Sequence, residues 1–151
     1  PTEYGEFDLV TYKDSIDNLV HFALCKGEIK SDEPTLVRVH LHNTLSDLLG
    51  SQRAIERSMD LPQALKRIAD EGGVLVLLGK AEDLLTQVTQ FQAEDNGEKP
   101  VGEAWSGTSR TVGVGSQILA SLGVKEMRLL SRPKKYHALS GYGLEVVEYV
   151  D

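Results

Sequence analysis

The sequence predicts a single α+β domain, in which an N-terminal antiparallel β-meander is followed by alternating helices and strands. Two observations lead to this fold class. Residues 5–42 carry strand-like alternation between apolar and polar side chains, whereas residues 60–150 alternate between helical stripes and short apolar runs. At 151 residues, the chain is long enough to bury one core of ordinary size, so we assign all of residues 1–151 to one domain.

The N-terminal meander rests on about three strand-like segments. They read GEFDLVTY, LVHFALCKGEI and TLVRVHLH, and each shows period-two alternation or enrichment in β-branched residues. The turn-forming clusters Asp14–Asn18 and Lys30–Pro34 separate them. Connections this short favour antiparallel neighbours.

A helix is predicted to begin after Asp60. The Asp60 side chain can cap the first backbone N–H groups, and Gln63, three residues later, completes a capping box. Gly72 suits the end of this helix. The wholly apolar run Val74–Leu78 then predicts a buried strand.

After Leu78, the sequence predicts strands that are connected by crossover helices, which is the arrangement expected of parallel strands. The predicted elements are a helix over Leu84–Gln92, a loop over Glu94–Gly102, a helix with its apolar stripe at Ile118, Leu119 and Leu122, a strand over Val124–Leu130, a short helix from Pro133 to about Gly141, and a strand over Leu144–Val150.

Composition and charge narrow the classes of function. The net charge is −7 and most Lys and Arg residues are scattered, which argues against a nucleic-acid partner. No apolar run approaches the ~20 residues that a membrane span requires, so we expect no membrane partner. The single cysteine, Cys25, excludes an internal disulfide, and a cytoplasmic location is the simplest expectation.

Two segments carry a family resemblance. The sequence RVHLHNTLSDLLGSQR spans residues 38–53, and RTVGVGSQILASLGVKEMRLLSRPKKYHALSGYGLEVVEYVD spans residues 110–151. Both resemble GTP cyclohydrolase II, the zinc enzyme that opens riboflavin biosynthesis. The resemblance implies three cysteine ligands to zinc, but Asn43, Ala54 and Glu56 stand at those positions. We therefore expect that the zinc is absent.

A substitute metal site is an alternative. His40, His42 and Glu56 could supply nitrogen and oxygen ligands, and two histidines spaced by two on a strand share a face. The competing interpretation, which we favour, is that they are ordinary strand residues.

The resemblance also implies that the catalytic groups have changed. Thr108 stands where the family has its proposed acid/base aspartate, and Phe91 stands where it has a catalytic tyrosine. Arg110, at the position of the proposed nucleophile, is retained. Loss of the zinc ligands, the acid/base and the phenol together predicts that the family reaction is lost.

Several positions that the resemblance connects with nucleotide binding keep a suitable residue. We expect that a reduced pocket for GTP or another phosphate ligand could include Arg38, Arg53, Arg110, Ser131 and Lys135.

In many bacteria the family domain is fused behind 3,4-dihydroxy-2-butanone-4-phosphate synthase. Because the sequence begins with Pro1 rather than Met, we interpret it as a piece of such a fusion, whose synthase domain would use magnesium or manganese. The leading hypothesis is a degenerate domain that dimerises, stabilises or regulates the synthase, with a homodimer expected by analogy. The alternatives are a nucleotide- or phosphate-sensing domain and an enzyme with residual or altered activity.

Overall fold

The computed structural model describes residues 1–52, 59–79, 84–97, 109–133, 136 and 139–151. Its described part contains six strands, four α-helices and one 3₁₀ turn over Leu139–Tyr142. The strands are β1 (Asp8–Lys13), β2 (Val20–Lys26), β3 (Thr35–Leu41), β4 (Gly73–Leu78), β5 (Glu126–Leu130) and β6 (Glu145–Val150). The helices are α1 (Thr44–Asp47), α2 (Leu61–Glu71), α3 (Leu84–Asp95) and α4 (Ser109–Ser121).

All six strands form one mixed sheet in the order β1-β2-β4-β3-β5-β6. The β1–β2 and β2–β4 pairs are antiparallel. The β4–β3, β3–β5 and β5–β6 pairs are parallel. The sheet therefore has an antiparallel side near the N-terminus and a parallel side built from strands joined by crossovers.

The α+β class is confirmed, but the three-stranded meander is confirmed only in part. The β1–β2 hairpin is present, whereas β3 lies beside β4 and runs parallel to it. The reason is burial: five of the seven residues of β3 are buried on a strand with neighbours on both sides, so β3 occupies the centre of the sheet. The β4 strand, which follows later in the chain, takes the place next to β2.

The hydrophobic core consists of one layer on each face of the sheet. On one face, Ile118 and Leu119 of α4 pack against Val37 and Val76. On the other face, Ala64 and Ile68 of α2 pack against Leu36, Leu75 and Leu130. Alternate residues of the central strands thus serve opposite layers, as strand geometry requires.

Local signals placed α2 correctly. The Asp60 carboxylate accepts a hydrogen bond from the Gln63 backbone at 2.9 Å, and the Gln63 side chain accepts from the Asp60 backbone at 3.3 Å. The helix ends before Gly72, as predicted. The short helix α1 was not predicted, and α3 runs three residues beyond the predicted end at Gln92.

The C-terminal elements agree in type with their predictions. The strands β5 and β6 begin one or two residues later than predicted, at Glu126 and Glu145. Part of the helix predicted from Pro133 lies outside the described residues, and the described part shows the 3₁₀ turn instead. Most of the loop predicted over Glu94–Gly102 also lies outside them.

A close approach of two main chains fixes the start of β4. Gly73 has a φ of +139°, and a Cβ built there would lie 2.2 Å from the carbonyl oxygen of Leu36 on β3. No side chain larger than hydrogen fits without moving one of these strands. The parallel β3–β4 pairing in its observed register thus depends on this glycine.

We expect Gly73→Ala to lower the free energy of unfolding by ~2 kcal/mol or more, because it combines unfavourable backbone geometry with a main-chain clash. Urea denaturation followed by circular dichroism measures the effect. Gly97→Ala is the matched control, since its φ is +77° and nothing lies within 4 Å of the added methyl group. The control should lose only ~1 kcal/mol. Equal losses in the two variants would contradict a steric role for the Leu36 carbonyl.

Candidate functional site

The carboxyl ends of four strands meet at one edge of the sheet, which we call the carboxyl edge. The strands β3, β4, β5 and β6 are parallel, so residues 42–43, 79, 131 and 151 follow them on the same side. The first residues of β2 join this edge because β2 runs antiparallel to β4. In open sheets with parallel strands, ligand sites form beyond the carboxyl ends of those strands. The carboxyl edge is therefore the candidate site.

Asp47 organises the polar groups at the end of β3. One of its carboxylate oxygens lies 2.9 Å from His40 Nε2, and the other accepts a hydrogen bond from the Asn43 backbone N–H at 2.9 Å. The side chains of His40 and Asp47 are both almost fully buried. A buried carboxylate needs such donors, since it has given up its hydration. Asp47 thereby joins β3 to the helix α1 that follows it.

Asn43 begins α1 as its N-cap residue. Its backbone is extended, with φ −145° and ψ 114°, and its side-chain oxygen accepts from the Ser46 backbone N–H at 3.1 Å. Its amide nitrogen donates to Gln87 Oε1 on α3 at 3.3 Å. Both Asn43 and Gln87 are buried. Both polar atoms of the Asn43 side chain are thus used within the protein.

His42 lies on the outer side of this cluster. Its Nδ1 atom is 3.7 Å from the Asp47 carboxylate, its Nε2 atom is 3.4 Å from Thr44 Oγ1, and 43% of its side chain is exposed. His40 and His42 thus face one carboxylate, one from inside and one from the surface. Among the residues that the structure describes, no group of three His, Cys, Asp or Glu side chains is placed to hold a metal ion. Glu56, the third member of the alternative metal site, lies outside the described residues.

His21 occupies the neighbouring position, beside the end of β4. It is 4% exposed, and its Nδ1 atom accepts a hydrogen bond from the Gly79 backbone N–H at 3.0 Å. Because Nδ1 is an acceptor, the neutral ring carries its proton on Nε2. Burial lowers the pKa of His21 below its ordinary value, although the nearby Asp14 and Asp17 carboxylates act in the opposite direction. His21 is therefore held as a neutral acceptor for the Gly79 backbone.

Arg38, one of the predicted ligand-binding residues, connects main-chain segments. Its Nη1 atom donates to the carbonyl of Leu130 at 2.8 Å, and its Nη2 atom donates to the carbonyl of Met59 at 3.0 Å. The side chain is buried. Arg38 therefore ties the end of β5 to the residue before the N-cap of α2, and a ligand contact for it stays a prediction.

Ser131 and Phe91 are the other predicted residues whose side chains the structure describes. Ser131 follows β5 at the carboxyl edge, is half-buried, and donates from Oγ to the carbonyl of Arg132 at 2.9 Å. Phe91 is half-buried on α3, four residues after Gln87 and thus on the same side of that helix. The structure places Ser131 at the candidate site by backbone position.

The other predicted site residues lie on α4 or outside the described ranges. Arg110 lies in the first turn of α4, where the structure describes the backbone. The described ranges do not include Arg53, Ala54, Glu56, Thr108 and Lys135.

Gln87 and His21 are members of this edge that the sequence did not indicate, and Asp47 had no predicted role. The sequence around a polar residue on a helix or strand does not show that its side chain is buried, because its hydrogen-bonding partner belongs to a distant segment of the chain. Only Asp47, four residues after Asn43, had a local signal, as an acidic residue in the first turn of a helix.

The fold and this edge define an α+β architecture whose polar cluster lies beyond the ends of parallel strands. The model of the family described as GTP cyclohydrolase II matches residues 1–151, and the chain belongs to that family. In the part of the chain that the structure describes, no helix is long and apolar enough to cross a membrane.

Similar proteins carry two kinds of name. The chain is 49% identical over 154 residues to a 3,4-dihydroxy-2-butanone 4-phosphate synthase of Photobacterium phosphoreum, covering 99% of this chain and 40% of that protein. It is 44% identical over 153 residues to a synthase of the same name from Pseudomonas aeruginosa, and the match covers 99% of this chain and 40% of that protein. It is 40% identical over 159 residues to the riboflavin biosynthesis protein RibBA of Chlorobium phaeovibrioides, and the match covers 99% of this chain and 38% of that protein. The chain thus spans about two fifths of the length of these relatives.

We expect His21 to make the stability of the domain fall in mild acid. Its pKa is lowered in the folded state, so below the unfolded value of about 6.5 the unfolded chain binds more protons than the folded one. The contribution of His21 to the free energy of unfolding is therefore complete above pH ~6.5. It is lost as the pH falls through the pKa that His21 has in the folded state. Urea denaturation at a series of pH values between about 7.5 and 5 would measure this dependence.

His21→Gln removes the titrating group and should flatten this part of the profile. An identical slope in wild type and His21→Gln would show that other groups cause the acid sensitivity.

Proposed function

We propose that this chain serves riboflavin biosynthesis as a degenerate GTP cyclohydrolase II domain that has lost its zinc site and the family reaction. Family membership over residues 1–151 and the riboflavin-related name of one similar protein support the pathway. The observation that carries the proposed loss is the environment of Asn43, which stands at the position of the first zinc cysteine.

The Asn43 donor set does not fit a zinc ion. Zinc in proteins is bound by thiolate, imidazole or carboxylate groups, and a neutral amide is a poor substitute. The Asn43 amide also has its oxygen on the Ser46 backbone and its nitrogen on Gln87. A metal ligand there would have to give up the cap of α1 and the link to α3. Ala54, at the second cysteine position, has no donor atom at all.

The substituted catalytic positions support the same proposal. Thr108 cannot replace an aspartate as general acid or base, because a hydroxyl group does not titrate near neutral pH. Phe91 keeps a ring of the same size but has no phenol group. Arg110 is retained. Without zinc, however, no metal-activated water is available for the family hydrolysis, so Arg110 alone does not preserve the reaction.

The role we propose for the domain is structural or regulatory, within a protein that also contains a 3,4-dihydroxy-2-butanone-4-phosphate synthase domain. Two similar proteins carry the synthase name, and each is much longer than this chain. In such a protein the synthase domain would bring its own magnesium or manganese and its own catalytic residues. The present domain would contribute assembly, as a homodimer, or control of the synthase.

A specific observation favours nucleotide or phosphate sensing as a second candidate. The ends of four strands converge at the carboxyl edge, and Ser131 lies there after β5. Arg53, Arg110 and Lys135 are further family positions that keep a basic residue. Binding without turnover would use these groups and would need no zinc.

We expect that the purified chain contains no stoichiometric zinc and does not turn over GTP. Elemental analysis after dialysis against zinc, and an assay for GTP consumption with zinc or magnesium added, measure the two properties. The matched control is the triple variant Asn43→Cys, Ala54→Cys, Glu56→Cys, which returns three thiolates at the family spacing and should take up zinc. One tightly bound zinc per wild-type chain, or sustained GTP turnover, would overturn the proposed loss of activity.

Thermal unfolding with and without millimolar GTP and magnesium separates the structural role from the sensing role. A ligand at about 100 times its dissociation constant adds ~2.7 kcal/mol of stability, which raises the melting temperature by several degrees. We expect no saturable shift if the role is structural. A saturable shift that Ser131→Ala reduces, in a chain without turnover, would instead support sensing.

A further inference from the structure

The β1–β2 hairpin has one covered face and one open face. Val10 and Tyr12 of β1, like Ala23 of β2, pack into the core layer on the α4 side of the sheet. Because side chains alternate along a strand, Leu9 and Val20 lie on the opposite side, which is the side that carries α2. Leu9 is 61% exposed and Val20 is 42% exposed. The hairpin therefore presents apolar side chains to solvent on the α2 side.

This open surface, which we call the hairpin face, mixes apolar and polar side chains. It is formed by three cross-strand pairs: Leu9–Leu24, Thr11–Phe22 and Lys13–Val20. Ile16, in the turn that joins the two strands, is 78% exposed and extends the apolar surface beyond their ends. Exposed apolar patches of this kind mark interaction sites, and a mixed composition is typical of interfaces between domains of one chain.

The segment before β1 lies on the same side of the sheet as the hairpin face. Lys66 of α2 places its Nζ atom 6.0 Å from the centre of the Tyr4 ring. Lys26 of β2 donates from Nζ to the carbonyl of Glu6 at 3.1 Å, and Phe7 packs into the core layer that includes α2. A polypeptide joined before the first residue would therefore reach the domain on the α2 side, beside the hairpin face.

We propose that the synthase domain of the same polypeptide docks on the hairpin face. This inference rests on the proposed function, in which that domain precedes the present one, and it adds the surface that joins them. The chain spans 40% of each relative that carries the synthase name, so the remainder of such a protein is large enough for a further domain. Docking would remove Leu9 and Val20 from water, which the hydrophobic effect favours.

The size of the hairpin face favours a tethered domain over a second copy of the chain. Two paired strands of six residues cover roughly 20 by 10 Å, or about 200 Å². A stable complex between free proteins buries about 800 Å² on each partner. A tethered domain docks on a smaller surface, because the linker gives it an effective concentration in the millimolar range.

Hydroxyl-radical footprinting of the full-length polypeptide, read by mass spectrometry, tests the docking. Leu85 on α3 is the internal reference, because it is the same residue type as Leu9 and is 77% exposed in this domain. We expect Leu9 to be oxidised about fivefold more slowly than Leu85, because the core of a docked interface excludes water. Equal oxidation of Leu9 and Leu85 in a polypeptide with synthase activity would overturn the docking and leave the proposed function standing.

A pair of variants locates the contact. Val20→Lys places a charge on the hairpin face, and we expect it to return the oxidation of Leu9 to the rate of Leu85. Val147→Lys is the matched control, because Val147 is 45% exposed on β6 at the other edge of the sheet, and it should leave Leu9 protected. Equal effects of the two variants on Leu9 would overturn the proposal.

Dilution separates the synthase domain from a second copy as the occupant. Protection by a tethered domain does not depend on protein concentration, whereas protection by a second copy is lost on dilution. Protection of Leu9 that disappears on dilution would therefore overturn the proposed occupant. A full-length polypeptide without synthase activity would overturn the proposed function and, with it, this docking.

Discussion

The central strand β3 imposes the constraint on which the rest of the structure depends. It is paired on both sides and covered on both faces, so nearly all of its side chains must find partners inside the protein. Leu36 and Val37 meet this demand by packing in opposite core layers. The close approach of Gly73 to the Leu36 carbonyl then sets where β4 begins beside it. The order of the sheet follows, since a strand of this kind cannot lie at an edge.

Two polar residues on β3, Arg38 and His40, link this buried strand to the segments that form the candidate site. A guanidinium or imidazole group buried without partners would cost several kcal/mol, so each must be hydrogen-bonded. Arg38 binds the carbonyls of Leu130 and Met59, which brings the end of β5 and the approach to α2 together. His40 pairs with Asp47, which holds α1 against the end of the strand. The polar edge is therefore built by satisfying buried groups, and its residues need not contact a ligand to be required there.

The sequence predicts what local chemistry controls. The capping box at Asp60 and Gln63, the glycine that ends α2 and the apolar run of β4 depend on neighbours in the chain, and all of them are found where expected. The place of β3 was beyond sequence reasoning, because TLVRVHL is compatible with an edge strand of a meander as well as with a central strand. Its true place depends on pairing with β4 and β5, which are distant in the chain. Arg38 and Ser131 were predicted from family positions, whereas Gln87 and His21 join the edge through contacts with distant segments.

The environment of Asn43 shows that this position is tied to its neighbours by hydrogen bonds. The turn after β3 must be stabilised in some way, because it follows a buried strand and begins a helix of only four residues. A metal ion could hold such a turn through thiolates contributed by several positions. Here hydrogen bonds hold it: the Asn43 backbone donates to Asp47, and the Asn43 side chain accepts from the Ser46 backbone and donates to Gln87 Oε1. A cysteine at position 43 alone would supply one ligand where zinc needs at least three, and it would remove both the helix cap and the partner of Gln87. The two ways of stabilising this turn therefore exclude each other, and passing from one to the other requires several substitutions together.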